Sequence, residues 1–325
     1  MSRKIKWGII GLGRIAHKFA SDLLLVEGAE LVAVASRDAN NAKVFAEKYQ
    51  SPRYYNNYEE LVGNTEVEVV YIATPHALHL EHTLLCLDAG KAVLCEKPLG
   101  MNAEEVEIMM QRAREKRLFL MEALWTRFIP ATEKLIQLVE DKSIGKIVSL
   151  QADFGYQAHY DADSRLFKKS LGGGALLDIG IYPVYLSLLL LGSPDKIEAG
   201  ASFAETGVDN QCSMTFDYGD PVRAQLDCSL VAGTPVEAIL QGEHGSIHVH
   251  RRFHHPEKIT LQRDGEPPEI FNIPYLGHGY THEIKEVMRC LNAGLTQSNK
   301  MPLNMSWTLI KTLDVVRKKI GLTYP

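Results

Sequence analysis

Several short stretches of the chain combine residue types at spacings that could do chemistry. Gly11-Leu12-Gly13-Arg14-Ile15-Ala16 has the two glycines and small third residue of a dinucleotide-binding turn. Gly11 would let the chain turn sharply, Gly13 would let the backbone approach a pyrophosphate, and Ala16 would let a helix pack closely. Arg14 and Ile15 would then open that helix, whose N-terminus favours phosphate charge. Ser36-Arg37 offers a hydroxyl and a guanidinium, a pair suited to a further phosphate, and Arg37 could also stack on an adenine. The other reading makes Arg37 a solvated loop arginine and gives Asp38 the acidic, ribose-binding role. Glu96-Lys97-Pro98 places a lysine where partial desolvation would let it exchange a proton, although a surface Glu96–Lys97 ion pair is the commoner explanation for those two residues alone. Asp178 and Tyr182 are four apart and would share one helix face. Their neighbours Leu176, Leu177, Leu186, Leu188 and Leu189 make burial of that pair costly without partners or a purpose. A helix-turn aspartate beside an amphipathic core tyrosine is the structural alternative.

These groups need elements to hold them. Ile5–Ile10, Leu31–Ala35, Val67–Ala73, Ala92–Cys95 and Leu118–Met121 read as short apolar strands alternating with helical patterns. Among the helices, Asn102–Lys116 opens on an N-cap asparagine with Glu105 at the capping-box position, and buries Val106, Met109, Met110 and Ala113. Continuous apolar strands separated by helices predict an α/β Rossmann domain with a mostly parallel sheet over residues 1–121. The glycine turn follows its first strand, Ser36-Arg37 its second and Lys97 the strand Ala92–Cys95. The Thr74-Pro75-His76 loop follows another, with His79 three residues on. Loops at the carboxyl edge of such a sheet lie near the cofactor, so Thr74, Pro75, His76, His79 and Glu96 join the cofactor candidates. Helix capping and packing are the alternative for both histidines.

Past about residue 146 the period changes to two. Val148, Leu150, Ala152 and Phe154 alternate with polar residues, as do Cys212, Met214 and Phe216, and Val222 through Leu230. Residues 122–325 are therefore expected to form an α+β domain with a large open, mainly antiparallel sheet, polar on one face. Ile197–Phe203, Val236–Gln241, Ile259–Gln262 and Glu269–Ile273 add strands, and helices near 280–293 and 303–319 end the chain.

The bulk numbers narrow the class. A net charge of −5 argues against nucleic acid or an anionic membrane as partner. No apolar run is expected to span a bilayer, because Leu186–Leu191 is interrupted upstream by Pro183 and Tyr185. The first strand begins almost at Met1, leaving no room for a leader, and the five cysteines (Cys86, Cys95, Cys212, Cys228, Cys290) form no CxxC pair. Together these point to a cytoplasmic protein with reduced thiols. His248, His250, His254 and His255 lack a cysteine or carboxylate at metal-site spacing. They read as a solvated strand end, so no metal is expected.

Taken together, the glycine turn, Thr74-Pro75-His76 with His79, Glu96-Lys97-Pro98 and the antiparallel second half resemble the glucose–fructose oxidoreductase/inositol dehydrogenase family over nearly the full length. Gly242-Glu243-His244-Gly245-Ser246-Ile247 is similar to a turn in that family's C-terminal sheet. Glu122 through Phe128 and Gly172 through Pro183 look like its dihydrodiol dehydrogenase branch, which includes NADP-dependent D-xylose dehydrogenases. Many sugar and inositol dehydrogenases of the family carry histidine where this chain has Tyr182. The resemblance implies a catalytic Lys97, with Tyr182 as proton partner and Asp178 orienting the pair or holding a second substrate hydroxyl. It implies substrate-pocket walls at Trp125 and Phe154, either of which could instead be core packing. Arg127 would clamp a polar group or pair with Glu122, and Tyr280 is a further pocket candidate. The cofactor would be NADP, with NAD possible, serving hydride transfer on a sugar, polyol or dihydrodiol. A homodimer or tetramer through the C-terminal sheet is expected. A non-catalytic dinucleotide sensor is the alternative, against which stands the retained lysine.

Overall fold

The computed structural model describes residues 3–325. Met1 and Ser2, on which the leader expectation partly bears, lie outside it. The chain forms two compact units, 1–128 with 276–307, and 129–275 with 308–325. Leu276–Trp307 thus rejoins the first unit, which a single cut at residue 121 does not anticipate. The anchor is Asp22, a fully buried carboxylate that accepts the backbone N–H of His278 at 2.8 Å and of Tyr280 at 2.8 Å.

In the first unit, β1 (Ile5–Ile10), β2 (Ala29–Ala35), β3 (Tyr54–Tyr55), β4 (Val69–Ile72), β5 (Ala92–Glu96) and β6 (Leu120–Ala123) form a parallel sheet in the order β3-β2-β1-β4-β5-β6. The order reverses between β1 and β4, and in such sheets a ligand crevice lies at that reversal, beyond the carboxyl ends of the strands. Helices α1 (Arg14–Leu23), α2 (Ala39–Tyr49), α3 (Tyr58–Gly63), α4 (His79–Asp88) and α5 (Ala103–Lys116) supply the crossovers. All four residues of β4 are fully buried, as expected where helices cover both faces. Asn102 caps α5 by accepting the Glu105 N–H at 2.9 Å, and Glu105 reaches back to the Met101 N–H at 2.8 Å. The two-residue β3 is too short to leave a period in the sequence, and β6 starts two residues later than expected.

The second unit holds α6 (Pro130–Glu140), β7 (Ile147–Gly155), α7 (Ile181–Leu191), β8 (Lys196–Phe203), β9 (Asp209–Asp217), β10 (Arg223–Ser229), β11 (Ala238–Gly242), β12 (Gly245–Val249), β13 (Lys258–Arg263) and β14 (Glu269–Asn272). Among the described residues, the strands make one eight-stranded sheet, β14-β13-β12-β11-β7-β10-β9-β8, antiparallel except where β7 runs beside β10. Leu150, Ala152, Cys212, Met214, Phe216, Ala224, Leu226 and Cys228 are buried on one face, while Ser213, Gln225 and Asp227 stand exposed on the other. The residues expected to form only a turn after Gly242 continue into β12. Helix α8 (Thr281–Asn292) belongs to the first unit, and α9 (Leu303–Ile320) begins there and ends in the second.

One expectation needs correction. The stretch Lys169–Leu191 is long and apolar enough to cross a membrane by length and composition. Its interruption at Pro183 does not break it, because a wide π-helical turn (Leu176–Gly180) runs directly into α7. With 83% of its apolar window buried, it has the burial of a core helix of this unit. Each of its leucines removed from water contributes roughly 2 kcal/mol.

Candidate active site

In the first unit, β1 delivers Gly11 at φ +82°, where a Cβ would come within 2.7 Å of the Ala73–Thr74 backbone. Only glycine fits there. Gly13 is different, because a Cβ on it would meet no protein atom within 4 Å. Its small size is not demanded by packing and leaves backbone free to approach a ligand. Ala16 is fully buried, Ile15 half-buried and Arg14 exposed. Among the described residues, no side chain caps α1 and no acidic residue stands in its first turn, so its N–H groups remain available to a phosphate. These features fit a dinucleotide.

Ser36 is buried at the end of β2, with Arg37 exposed beside it. The Asp38 carboxylate accepts the N–H groups of Asn40 at 2.9 Å and Asn41 at 3.2 Å, which commits it to capping α2. The Asn41 amide reaches both the Ser36 hydroxyl and the Leu12 carbonyl at 3.5 Å, joining the second loop to the glycine turn.

The loops after β4 and β5 are braced together by His79. It is fully buried, with Nδ1 2.7 Å from the Pro98 carbonyl and Nε2 2.9 Å from that of Thr74. Burial drives its pKa down to about 4, so the neutral ring donates to one carbonyl at a time. Its position makes it a brace between the loops. Thr74 in turn meets His82 Nδ1 at 3.0 Å, and His76 is buried with its ring edge-on to His79 at 5.7 Å. Pro75 is half-buried between them.

Lys97 stands half-buried just past β5, its N–H 3.3 Å from the Glu96 carboxylate, which also accepts the Tyr71 hydroxyl. The following Leu99 N–H is held at 2.9 Å by Glu122. Beneath this loop lies a buried acidic group of Glu96, Glu122 and Glu283. Burial above all lifts the Glu283 carboxyl well out of the usual range, and lifts Glu122 to about 7. Burial likewise raises the Tyr71 phenol. For Glu122 and Glu283 the shift favours the protonated form, which avoids an uncompensated buried charge.

That pKa has a measurable consequence. Unfolded, Glu122 ionises near 4.5; folded, near 7. The stability linked to it is therefore complete below pH 4.5 and is lost as pH rises to 7. Glu122→Gln, which keeps the carbonyl acceptor for Leu99, should gain stability over the parent across that interval. The gain should reach on the order of 3 kcal/mol by pH 8. Urea unfolding midpoints from pH 4 to 8 test it, and a difference independent of pH would refute the assignment.

Trp125 and Tyr280 stack at 4.7 Å with rings 13° apart, and Phe19 links Tyr280 to Tyr71, on which it stacks at 3.6 Å. An aromatic series thus runs from Trp125 to the Glu96 partner. Arg127 donates from Nε to the Lys300 carbonyl at 3.0 Å.

In the second unit, Asp178 lies in the π turn and Tyr182 in the first turn of α7, both buried. The exposed Arg165 donates to Asp178 at 2.8 Å, an ion pair that sequence spacing does not show. Tyr182 packs 5.7 Å from Phe154 and 5.0 Å from His254, and Phe154 stacks on His254 at 4.2 Å. His254 is buried, which corrects its placement in a solvated strand end and adds it to the site candidates. The turn carrying Asp178 is held by Asp209, whose carboxylate accepts the Leu176 N–H at 2.6 Å and whose pKa burial raises to about 6. Gly174, at φ +120°, leaves room for that carboxylate, which a Cβ would strike.

So the first unit brings together the glycine turn, Ser36, the Thr74–His79 loop and Glu96-Lys97. The second brings together Tyr182, Phe154 and His254, with Asp178 in the adjoining turn.

The family model "Oxidoreductase family, NAD-binding Rossmann fold" matches residues 5–124, and "GFO/IDH/MocA C-terminal domain" matches 132–248. The chain is 39% identical to a trans-1,2-dihydrobenzene-1,2-diol dehydrogenase of Mus musculus, over 99% of this chain and 98% of that one. It is 38% identical to the Homo sapiens enzyme of the same name, with the same coverage. A 3-ketoreductase from Actinomadura kijaniata, solved with NADP and TDP-benzene, matches at TM-score 0.88 and 27% identity over 98% of each chain.

Proposed function

The chain belongs to the GFO/IDH/MocA oxidoreductase family, and on that premise we propose an NADP-preferring dehydrogenase acting on a CH–OH group of a sugar, polyol or dihydrodiol. The observation that carries this reading is Lys97, past the carboxyl end of β5 in a loop bonded at Lys97, Pro98 and Leu99, in a sheet whose glycine turn fits a dinucleotide. The bound nicotinamide supplies the hydride acceptor or donor. Lys97 hydrogen-bonds the reacting oxygen and stabilises negative charge developing on it. In the oxidative direction the substrate C–H bond gives up its hydride, and the O–H proton passes to Tyr182 or Lys97. Asp178, oriented by Arg165, positions Tyr182 or binds a second hydroxyl. Trp125 and Tyr280 in the first unit, and separately Phe154 and His254 in the second, offer aromatic faces suited to a planar diene or a sugar face. A panel of aldoses, polyols and trans-dihydrodiols, run with NADP and with NAD, tests the proposal. Dinucleotide binding without turnover on any of them would favour a sensor instead.

The NADP preference is supported by the commitment of Asp38 to its helix cap, which leaves Ser36 and Arg37 to face the ribose. Arg37→Ala should raise the KM for NADP roughly 10- to 100-fold, the worth of a charged hydrogen bond, and leave that for NAD nearly unchanged. Equal effects on both cofactors would refute it. We also place the protein in the cytoplasm, since all five cysteines are buried free thiols. The open polar face of the eight-stranded sheet supports a homodimer or tetramer, which light scattering would test.

A further inference from the structure

The antiparallel register of the second unit assembles a group of side chains that the sequence keeps apart. In the β11–β12 hairpin Ala238 faces Val249 and Ile239 faces His248. Glu237, one residue before β11, therefore stands across from His250, one residue after β12. Ile247 and Val249 point into the core, so His248 and His250 share the open face of the sheet. His248 Nε2 is 2.8 Å from a Glu237 carboxylate oxygen, and the two imidazoles lie 4.0 Å apart between centroids. One ligand atom from each of the three falls within 4.8 Å of the other two. All three side chains are half-buried.

We propose that Glu237, His248 and His250 form a binding site for a divalent transition metal of the zinc class. Two imidazoles and one carboxylate are the donors that such ions take, with a fourth position left to water. Calcium and magnesium prefer all-oxygen sets and are not expected to compete. The Thr260 hydroxyl, 2.8 Å from His250 Nε2, is placed to bond a ring nitrogen or the metal-bound water. A plain histidine–glutamate hydrogen bond would account for His248 and Glu237, but it gives no reason for a second imidazole packed beside them at a tilt of 32°. The site lies on the opposite sheet face from Phe154, Tyr182 and His254, so its metal would not touch substrate.

The test uses the full-length, tag-free chain, stripped with EDTA and titrated with Zn²⁺ by calorimetry and with Co²⁺ by visible absorption. One ion per chain is expected, with Co²⁺ bands of four-coordinate intensity and a raised thermal midpoint. His248→Ala and His250→Ala should each weaken binding at least about 100-fold, beyond the roughly 10- to 100-fold cost of losing an outer-shell partner. His159→Ala, an exposed histidine elsewhere, should leave binding unchanged. No saturable binding, or affinity unaltered in the His248 and His250 variants, would overturn the proposal.

Discussion

Lys97→Met is expected to lower turnover by about a thousandfold while the affinity for NADPH stays within a few-fold of the parent. The loop around Lys97 is fixed by groups other than its ammonium. Its own N–H faces Glu96, Pro98 offers its carbonyl to His79, and the Leu99 N–H donates to Glu122. Methionine therefore keeps the backbone and most of the side-chain volume, and removes the charge and the donor. A loss confined to kcat and kcat/KM, with unchanged cofactor titration and an unchanged thermal midpoint, would identify an interaction made in the transition state. Near-normal turnover would remove Lys97 from the mechanism, and a matching loss of NADPH affinity would make it a cofactor anchor only.

The legibility of this protein in its sequence follows the range of the interactions. The glycine turn, the α5 cap and the alternation of β9 and β10 are local, and each was readable because its partners lie within a few residues. The continuous apolar runs of β1, β4 and β5 showed a covered parallel sheet for the same reason. Interactions closed by the fold over long separations were hidden. Asp22 holding residues 278 and 280 redraws the unit boundary, yet nothing near Asp22 marks it. Arg165 reads as an ordinary surface arginine until it meets Asp178. Glu237 joins His248 only through hairpin register, so spacing alone argued against a carboxylate there. Glu122 did carry a signal: a carboxylate inside the apolar run Leu120-Met121-Glu122-Ala123-Leu124 must be protonated or bonded when that run is buried. His254 had none, because a histidine beside His255 looks the same solvated or packed. The Asp178–Tyr182 spacing pointed to a shared helix face, and the structure sets Asp178 in a wider π turn, a form that recurs at functional sites.

Tyr182→Phe is the sharpest test of the second unit, because phenylalanine retains the contacts with Phe154 and His254 and deletes one hydroxyl. If that hydroxyl passes the proton, turnover should fall roughly 100- to 10,000-fold, the range for a positioned acid–base group. The thermal midpoint should hold, and the pH dependence of kcat should lose the limb that the phenol sets. Asp178→Asn provides the contrast. It keeps an acceptor for Arg165 but no charge, so a positioning role predicts a smaller loss of kcat with the limb shifted rather than abolished. Should Tyr182→Phe change only KM, Tyr182 would be a wall of the pocket, and the proton would have to be assigned to Lys97. The two single variants and the Lys97→Met, Tyr182→Phe double variant then separate the cases. Residues that act as one unit lose little more together than singly, whereas independent contributions multiply.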